Sequence, residues 1–378
     1  MMRDVVRIIQ AGDLHLGTPF SGSGFPVEKA RQRRRELLGT FRRLVEAVVE
    51  QKAELLLLTG DLFEAEWVSE AEVAEVRQLL AGLNRPVLIT PGNHDCLQPG
   101  SPYSFGEWPD NVHIFGPQVG AVTFEQWNLT VHGYGYASRW LRENPYQEYR
   151  VPDDGGLHIV MVHGSFDAPE GTPYLPIRAE EVKAIGADYV AFGHYHQASV
   201  LLDEAGLMQA AYAGSLEPLG YDEPGEHGAF LLEVTHGGAR VEWLALAQRS
   251  YRQVEVDVSG ALSLFDIVEK VNEAVPLEVR GRDLLEVTLS GALEPSLMLD
   301  LEDLRERMQD VAYHLRLVDD THPDIDGDAF AAHSAPGRFV AKLRERLDVE
   351  TDEAKRRVLE RALQVGLLAY ERGKVVNA

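Results

Sequence analysis

The stretch "DYVAFGHYHQASV", residues 188–200, has a short apolar run that breaks at a glycine and then carries His194 and His196 two positions apart. Side chains at i and i+2 of an extended segment point the same way, so both imidazoles face one spot beyond the end of a buried strand. Open α/β sheets keep their ligands at the carboxyl ends of their strands. The pair is therefore either a metal site or an ordinary loop pair, and the rest of the chain decides between them.

Four other segments have the same form, because an apolar strand ends at or beside a glycine and a ligand side chain follows. They are "GDLH" with Asp13 and His15, "TGDLF" with Asp61, "PGNHD" with Asn93, His94 and Asp95, and "MVHGS" with His163. Glycine at such a turn permits a tight bend and close approach of the backbone to a bound group. Five segments of this kind on alternating strand–helix units argue against ordinary turns. We therefore predict that His194 and His196 bind metal.

The types of ligand indicate the chemistry. The oxygen donors are Asp13, Asp61 and Asn93, and the imidazoles are His15, His163, His194 and His196. This set suffices for two octahedral-type sites if one carboxylate bridges, and without thiolate it suits manganese, iron or zinc. We expect two divalent metal ions, with manganese as the first choice. Two ions ~3.5–4 Å apart clamp a phosphate, generate hydroxide for in-line attack and stabilise the developing charge.

One histidine is left over from the ligand set. His94 is flanked by Asp95, which can orient and stabilise its imidazolium form. A positioned imidazolium can protonate the leaving oxygen of a phosphodiester. We therefore predict that His94 and Asp95 are catalytic, with His94 as the general acid.

The motifs D-x-H, G-D, G-N-H-D, an isolated H-G and G-H-x-H, in this order over residues 13–196, resemble those of the calcineurin-like metallophosphoesterases. The resemblance implies that Asp61 bridges the two metals and that His94 works on the scissile phosphate. It assigns Asp13, His15, Asp61 and His196 to one metal and Asp61, Asn93, His163 and His194 to the other. His132 in "TVHG" rivals His163 as the isolated histidine. We favour His163, because a fully apolar run precedes it and it lies one β/α unit before residue 194.

Residues 197–378 follow the last motif, which is more than small-molecule members of this family usually have. "YAGSLEPLGYDEPGEHGAFLLEV" (212–234) is similar to a segment of SbcD-type DNA repair nucleases, and "RSYRQVEVDVSG" (249–260) resembles the entry to their small DNA-capping domain. The layout is closest to the shorter YhaO-type branch. This resemblance implies DNA and an SbcC-like coiled-coil ATPase as partners, and it leaves a homodimer open. The chain has no G-x-x-x-x-G-K-[ST] motif, so the ATPase would be a separate chain.

Two other functions compete with a DNA repair nuclease. One is a phosphodiesterase or pyrophosphatase that acts on a small nucleotide. The other is a regulatory or scaffold subunit, against which the intact set of metal ligands argues.

Strand–helix alternation that passes into consecutive strands predicts an α/β fold, a two-sheet α/β sandwich whose second sheet is antiparallel. We place this metallophosphoesterase domain at residues 1–250, a small α+β capping domain at 251–325 and C-terminal helices at 326–378. The last helix carries an apolar stripe that either packs on its own domain or docks on the ATPase. The members of the stripe are Val358, Leu359, Ala362, Leu363, Val365, Leu368 and Ala369.

The composition is that of a soluble chain of about two domains, with 378 residues of which 45% are hydrophobic and 25% charged. Its one cysteine, Cys96, excludes an internal disulfide framework and is compatible with a reducing compartment. The N-terminus lacks the apolar run of a signal peptide, and no stretch approaches the roughly 18 apolar residues of a membrane span. We expect a cytoplasmic protein with no membrane partner.

The net charge of −24 has an awkward sign for a protein that binds nucleic acid. Residues 257–335 hold 18 Asp and Glu against 6 Lys and Arg, a net of −12, so the capping domain would repel DNA unless its contact face is neutral. Residues 29–43 instead hold seven basic residues and one acidic residue. This run is either a solvated helix face or a surface for DNA contact.

Glu64 marks a departure from the family. SbcD-type nucleases usually follow "GDLF" with a histidine that sits beside the DNA, and this chain has "GDLFEAEWVS". An ionised glutamate accepts hydrogen bonds but cannot donate one to a phosphate oxygen. Glu64 therefore either points away and pairs with an arginine, or lies at the substrate site and weakens digestion of duplex ends.

Overall fold

The structure is a computed structural model that describes residues 5–21, 24–169, 171–202, 207–294, 297, 299–324 and 331–372. Residues 371 and 372 are described by their backbone only. The chain divides into two compact units, Met1–Ser250 and Tyr251–Ala378. The predicted boundary at residues 325 and 326 lies outside the described residues, so a separate capping domain and helical segment stay a prediction. Within the described ranges, no helix has the length and apolar character needed to cross a membrane.

The first unit begins with alternating strands and helices and ends in consecutive strands. Its helices are α1 (Val27–Glu50), α2 (Glu70–Gly82) and α3 (Ala179–Ile185). Its strands are β1 (Val6–Ala11), β2 (Leu55–Leu58), β3 (Val87–Ile89), β4 (Val112–Ile114), β5 (Gly120–Phe124), β6 (Leu129–Gly133), β7 (Leu157–His163), β8 (Ser165–Phe166), β9 (Pro176–Ile177), β10 (Tyr189–Gly193), β11 (Ser199–Leu202), β12 (Met208–Tyr212), β13 (Gly228–Thr235) and β14 (Gly238–Ala245). Single 3-10 turns occupy Pro102–Ser104 and Glu125–Trp127.

Local sequence explains where the first two helices form. Apolar residues of α1 recur at Leu37, Phe41, Leu44 and Val48, and all four are buried, so one face of the helix packs on the sheet. At the start of α2 the Ser69 side chain accepts from a backbone amide and the side chain at the third helical position bonds back to Ser69, which forms a capping box. Such a box satisfies two amides that the first turn leaves without partners.

Twelve strands form one continuous curled sheet in the order β4-β3-β2-β1-β13-β14-β12-β10-β7-β6-β5, with β11 on the side of β12. Strands β1 to β4 are parallel to one another, and so are β6, β7, β10 and β12. The β13–β14 hairpin joins these two halves through antiparallel pairs with β1 and β12. The expectation of an antiparallel second sheet was therefore wrong, because connections of 23 residues or more return β6, β7 and β10 to the same sheet edge.

The two halves of the sheet pack face to face, which confirms the predicted sandwich. Side chains alternate along a strand, so Ile8 and Leu57 of the first half join Ile159 and Ala191 of the second in one buried cluster. The intervening residues face outward. Those of the first half pack against α1 and α2, and those of the second half pack against α3.

The basic run at residues 29–43 lies on α1, and carboxylates pair with several of its arginines. Arg33 is fully buried and donates to Glu36 at 2.8 Å and to Glu217 at 2.7 Å. Other ion pairs of the run join Arg31 with Glu28, Arg34 with Glu72 and Arg42 with Glu75. The run looks strongly basic in the sequence because most of the carboxylates that pair with it come from other parts of the chain.

The second unit begins as β15 (Tyr251–Asp257), α4 (Leu264–Ala274), β16 (Leu284–Leu293), α5 (Leu301–Arg307) and β17 (His314–Pro323), with a 3-10 turn at Leu277–Val279. Both strand pairs, β15 with β16 and β16 with β17, are parallel. This arrangement corrects the α+β label that the sequence suggested for this region. The crossover helix α4 connects β15 to β16 and α5 connects β16 to β17, and such connections make neighbouring strands parallel.

Two helices end the described part of this unit, α6 (Ala335–Val349) and α7 (Glu353–Arg372). They are antiparallel neighbours with an aromatic contact between Phe339 and Tyr370, whose ring centres are 5.7 Å apart. The apolar stripe of α7 is mixed, because most of its members are partly buried whereas Val358 is 68% exposed. Packing on its own unit thus accounts for only part of the stripe.

Candidate metal centre

The predicted ligand residues lie together at the carboxyl ends of β1, β2, β3, β7 and β10. Backbone hydrogen bonds hold the loops after β1 and β2 side by side, with the amide of Asp13 donating to Gly60 at 3.0 Å and that of His15 to Asp61 at 2.9 Å. The amide of His194 crosses from the other half of the sheet and donates to both carboxylate oxygens of Asp13 at 3.1 and 3.0 Å. One site therefore draws on both halves of the sandwich.

Several residues of this cluster hold a backbone conformation that side chains disfavour. The φ angles are +50° at Asp13, +48° at His15, +48° at Asp61 and +107° at His194. Non-glycine residues with positive φ cost about 1–3 kcal/mol each and cluster at functional sites. The surrounding hydrogen bonds hold these conformations, and they turn the four side chains toward one another.

Three histidines form hydrogen bonds through Nδ1, which leaves their Nε2 atoms facing the other ligand residues of the cluster. Nδ1 of His15 contacts Glu64 at 2.7 Å, Nδ1 of His196 contacts Glu223 at 2.7 Å, and Nδ1 of His163 donates to the Thr59 carbonyl at 2.9 Å. Such partners fix the tautomer of metal-binding histidines.

The Nε2 atoms of His15 and His196 lie 3.0 Å apart. Two imidazole lone pairs at this distance repel unless a cation, either a proton or a metal ion, lies between or beside them. The donor set therefore fits a metal ion.

Ligand atoms fall into groups small enough to hold an ion, with all atoms of a group within 4.8 Å of one another. The groups are Asp13 with His15 and His196, Asp61 with His163 and His194, and His15 with Glu64 and His94. The first two match the division that the family resemblance implied. Oδ2 of Asp61 is 3.3 Å from Nε2 of His163 and 3.9 Å from Nε2 of His15, a position between the two groups.

The remaining predicted ligand, Asn93, joins the second group. Its Oδ1 lies 3.0 Å from Nε2 of His163. Burial, together with the neighbouring His163, lowers the pKa of His194 to about 3, so this imidazole is neutral and able to bind a metal at pH 7. All seven predicted ligands are therefore near one another, and the metal role of each stays a prediction.

Glu64 lies inside the site and is paired with two histidines. Its carboxylate is 2.7 Å from Nδ1 of His15, and its other oxygen is 3.0 Å from Nδ1 of His94. Burial raises the pKa of Glu64, but the hydrogen bonds from His15 and His94 outweigh it and lower that pKa to about 2. Glu64 is therefore an ionised acceptor that orients both rings. Of the two alternatives for Glu64, the one that pairs it with an arginine is therefore excluded.

The role we predicted for Asp95 does not match its contacts. Its carboxylate accepts from the amides of Leu62, Phe63 and Gly92 at 2.7, 3.2 and 2.7 Å, and from the Tyr103 hydroxyl at 2.7 Å. These bonds tie the loop after β3 to the loop after β2 and leave Glu64 as the carboxylate that orients His94. Adjacency in sequence suggested Asp95, but its side chain points away from the ring.

His132, the rival for the isolated histidine, lies outside this cluster. It is buried on β6, where its Nε2 contacts Nδ1 of His158 at 3.0 Å and its Nδ1 contacts the Tyr149 hydroxyl at 2.7 Å. His163, in contrast, lies beside Asp61 and Asn93.

The sequence motifs do not include Glu223, a further carboxylate beside a predicted ligand. Its carboxylate accepts from the Ser215 hydroxyl at 2.7 Å and from the amide of Leu219 at 3.1 Å, and it contacts His196 as described above. A signal was present, since Glu223 lies in the 212–234 stretch that resembles SbcD-type nucleases.

Comparison with known proteins identifies the family. The model of the calcineurin-like phosphoesterases matches residues 6–198, which is half of the chain and spans every predicted ligand. This chain belongs to the calcineurin-like phosphoesterases. It is accordingly a metal-dependent phosphodiesterase, as the sequence predicted.

The similarity to individual proteins extends beyond that match. The chain is 29% identical to the uncharacterized metallophosphoesterase YhaO of Bacillus subtilis, over 86% of this chain and 84% of that protein. It is 28% identical to the DNA double-strand break repair protein Mre11 of Methanopyrus kandleri, over 95% of this chain and 82% of that protein. Among solved structures it is similar to a dimetal phosphatase from Danio rerio, with 11% identity and a TM-score of 0.41 over 64% of this chain and 99% of that one.

A prediction follows from the two hydrogen bonds of Glu64. Glu64→Ala removes the carboxylate that orients His15, and loss of such a partner typically weakens metal binding by roughly 10- to 100-fold. We expect this loss in a competition titration of Mn²⁺ against a fluorescent chelator. Glu66→Ala serves as the matched control, because Glu66 is exposed and its carboxylate contacts Arg139 instead of a histidine. Unchanged Mn²⁺ affinity in folded Glu64→Ala protein would contradict this role.

Proposed function

We propose that this phosphoesterase is a two-metal DNA nuclease of the SbcD type that uses manganese and works with an SbcC-like ATPase. The observation that carries the proposal is the extent of the similarity to Mre11 of Methanopyrus kandleri. That similarity covers nearly the whole chain, and so includes the second unit beyond the end of the family match. A phosphoesterase for small molecules would not need this second unit.

We assign the metal ligands as two groups that share Asp61. Asp13, His15 and His196 form one group, and Asn93, His163 and His194 form the other. Two bound metal ions would clamp the phosphate, supply hydroxide and stabilise the transition-state charge. The protein side chains orient one another, since Glu64, Glu223 and the Thr59 carbonyl fix the rings of His15, His196 and His163.

His94 is the proposed general acid. Its Nδ1 contacts Glu64, which leaves the Nε2 proton for transfer, and its side chain is 31% exposed to an incoming substrate. Burial lowers the pKa of His94, but the hydrogen bond to Glu64 and the charge of Asp61 outweigh it and raise the pKa above its usual value. A larger protonated fraction at pH 7 suits proton donation to the leaving oxygen.

Charge favours a second candidate, a phosphodiesterase that acts on small nucleotides. Residues 257–335 carry a net charge of −12, and the arginines of α1 are largely paired. Glu64 adds a partly buried negative charge where SbcD-type nucleases usually have histidine. For a nuclease, these charges predict weak digestion of blunt duplex ends relative to single strands.

The exposed end of the α6–α7 pair is the proposed surface for the ATPase. A groove of about 560 Å³ lies there, lined by residues that include Val349, Val358 and Leu359. Val349 and Val358 are 76% and 68% exposed. An amphipathic groove of this kind suits one helix of a coiled coil.

A panel of substrates tests the nuclease proposal. Purified protein with Mn²⁺ is incubated with blunt duplex, hairpin and single-stranded DNA, and with bis(4-nitrophenyl) phosphate. We expect cleavage of DNA, and His94→Ala should lower the rate on DNA by about 10²- to 10⁴-fold. The same variant should lose far less on the nitrophenyl diester, because a nitrophenolate leaves without protonation. His236→Ala, at an exposed hairpin, is the control and should match the wild type.

Other outcomes would refute separate parts of the proposal. Hydrolysis of the nitrophenyl diester without cleavage of any DNA would favour the small-nucleotide enzyme. Equal losses by His94→Ala on DNA and on the nitrophenyl diester would contradict the role of His94 as general acid.

The ATPase surface has a separate test. Val358→Asp places a charge in the groove and should therefore abolish co-purification of the SbcC-like ATPase from the same organism. The variant should leave nitrophenyl diester hydrolysis unchanged. Leu262→Asp is the matched control, since Leu262 is 81% exposed in the same unit but lies outside the groove. Undiminished binding by Val358→Asp, or equal loss in both variants, would exclude this groove as the docking surface.

A further inference from the structure

A row of aromatic rings runs outward from the metal centre to an exposed tryptophan. The ring of Tyr174 lies 4.9 Å from that of His194, and the ring of Trp140 lies 5.4 Å from Tyr174 with 34° between their planes. Trp140 is 52% exposed although one part of its indole packs on Tyr174. An open aromatic surface therefore begins two rings away from a predicted metal ligand.

Backbone hydrogen bonds fix Trp140 in this place. The amide of Leu141 donates to Pro173 at 2.8 Å, and the amide of Leu175 donates back to Leu141 at 2.6 Å. The Ser138 hydroxyl also donates to the carbonyl of Trp140 at 2.9 Å. These bonds join the segment that carries Trp140 to the segment that carries Tyr174, so the two rings are held together before any substrate binds. A ring ordered in advance loses little entropy when a ligand stacks on it.

Arg139 adds a positive charge to this surface. Its guanidinium carbon is 5.9 Å from the centre of the Trp140 ring, within reach of a cation–π contact. Its Nη1 is 3.3 Å from a carboxylate oxygen of Glu66, and the two side chains are 51% and 71% exposed. An ion pair this exposed is worth at most about 1 kcal/mol. Arg139 can therefore exchange Glu66 for a phosphate at little cost.

A lone exposed tryptophan is ordinary on a protein surface. Three features separate Trp140 from that case: its backing by Tyr174, its rigid attachment and its place beside the predicted metal ligands. We propose that Trp140 is a stacking platform for one unpaired nucleobase of the substrate, with Arg139 at its edge to bind a backbone phosphate. This inference rests on the proposed action on nucleic acid and narrows the substrate class.

The class is a nucleotide whose base is free to stack. Every base inside a duplex already has neighbours on both faces, so only a base in a single strand, at a frayed end or in a small nucleotide diester can reach Trp140. Stacking of a base on an aromatic side chain is tolerant of sequence. The platform therefore selects unpaired nucleotides of any sequence.

Two chromogenic substrates with the same leaving group test the platform. Thymidine 5′-(4-nitrophenyl phosphate) carries a base, and methyl 4-nitrophenyl phosphate does not. Trp140→Ala should raise KM for the thymidine substrate by about 10- to 100-fold, the range expected for one lost stack, with little change in kcat. It should leave the methyl substrate unaffected. Trp140→Phe, which keeps a ring, should retain most of the wild-type KM.

Binding without turnover gives a second readout. In EDTA, the wild type should bind a thymidine decamer more tightly than an abasic decamer of equal length, and Trp140→Ala should remove that difference. Phe265→Ala is the control, since Phe265 is an exposed ring in the second unit. Equal binding of the two decamers by the wild type, or an unchanged KM for thymidine substrate in Trp140→Ala, would overturn the platform.

The results separate the platform from the nuclease proposal. If the wild type cleaves no DNA but Trp140→Ala raises KM for the thymidine substrate, the platform is supported and the nuclease proposal is refuted. If the wild type cleaves DNA but Trp140→Ala has wild-type KM for both chromogenic substrates, the nuclease proposal is supported and the platform is refuted.

Discussion

The carboxylate of Asp61 is the point on which the rest of the site depends. It follows β2, accepts from the amide of His94 after β3 at 2.8 Å, and lies 3.3 Å from the ring of His163 at the end of β7. His15, after β1, is 3.9 Å away. A fully buried carboxylate is costly unless cations or donors surround it. The ends of β1, β2, β3, β7 and β10 must therefore stay close together, and the packing of the two half-sheets holds them in place.

The sequence predicted this arrangement well because it depends on periodicity and on strand ends. An apolar run that breaks at a glycine marks a buried strand and its carboxyl end, and a polar residue at that place can face the ligand side. Such marks located all seven proposed ligands and the sandwich. They could not give strand direction in the second half, since β6, β7 and β10 read alike whether parallel or antiparallel.

Contacts between residues distant in sequence were the part that patterns could not supply. Asp95 is adjacent to His94 in the chain but bonds to the backbone of Leu62 and Phe63, whereas Glu64 reaches the ring from thirty residues away. Glu223 reaches His196 in the same way. In the basic run of α1, Arg33 is buried between Glu36 and Glu217 and is therefore not available for DNA. Each case turns on tertiary packing, which local sequence does not encode.

We propose that these strand ends hold two metal ions that share Asp61. The most direct test is anomalous diffraction from crystals of the protein grown with Mn²⁺, recorded on both sides of the manganese edge. We expect two anomalous peaks ~3.5–4 Å apart, with Asp61 in contact with both, His196 with one and His194 with the other. A single peak, or two peaks of which only one contacts Asp61, would contradict it.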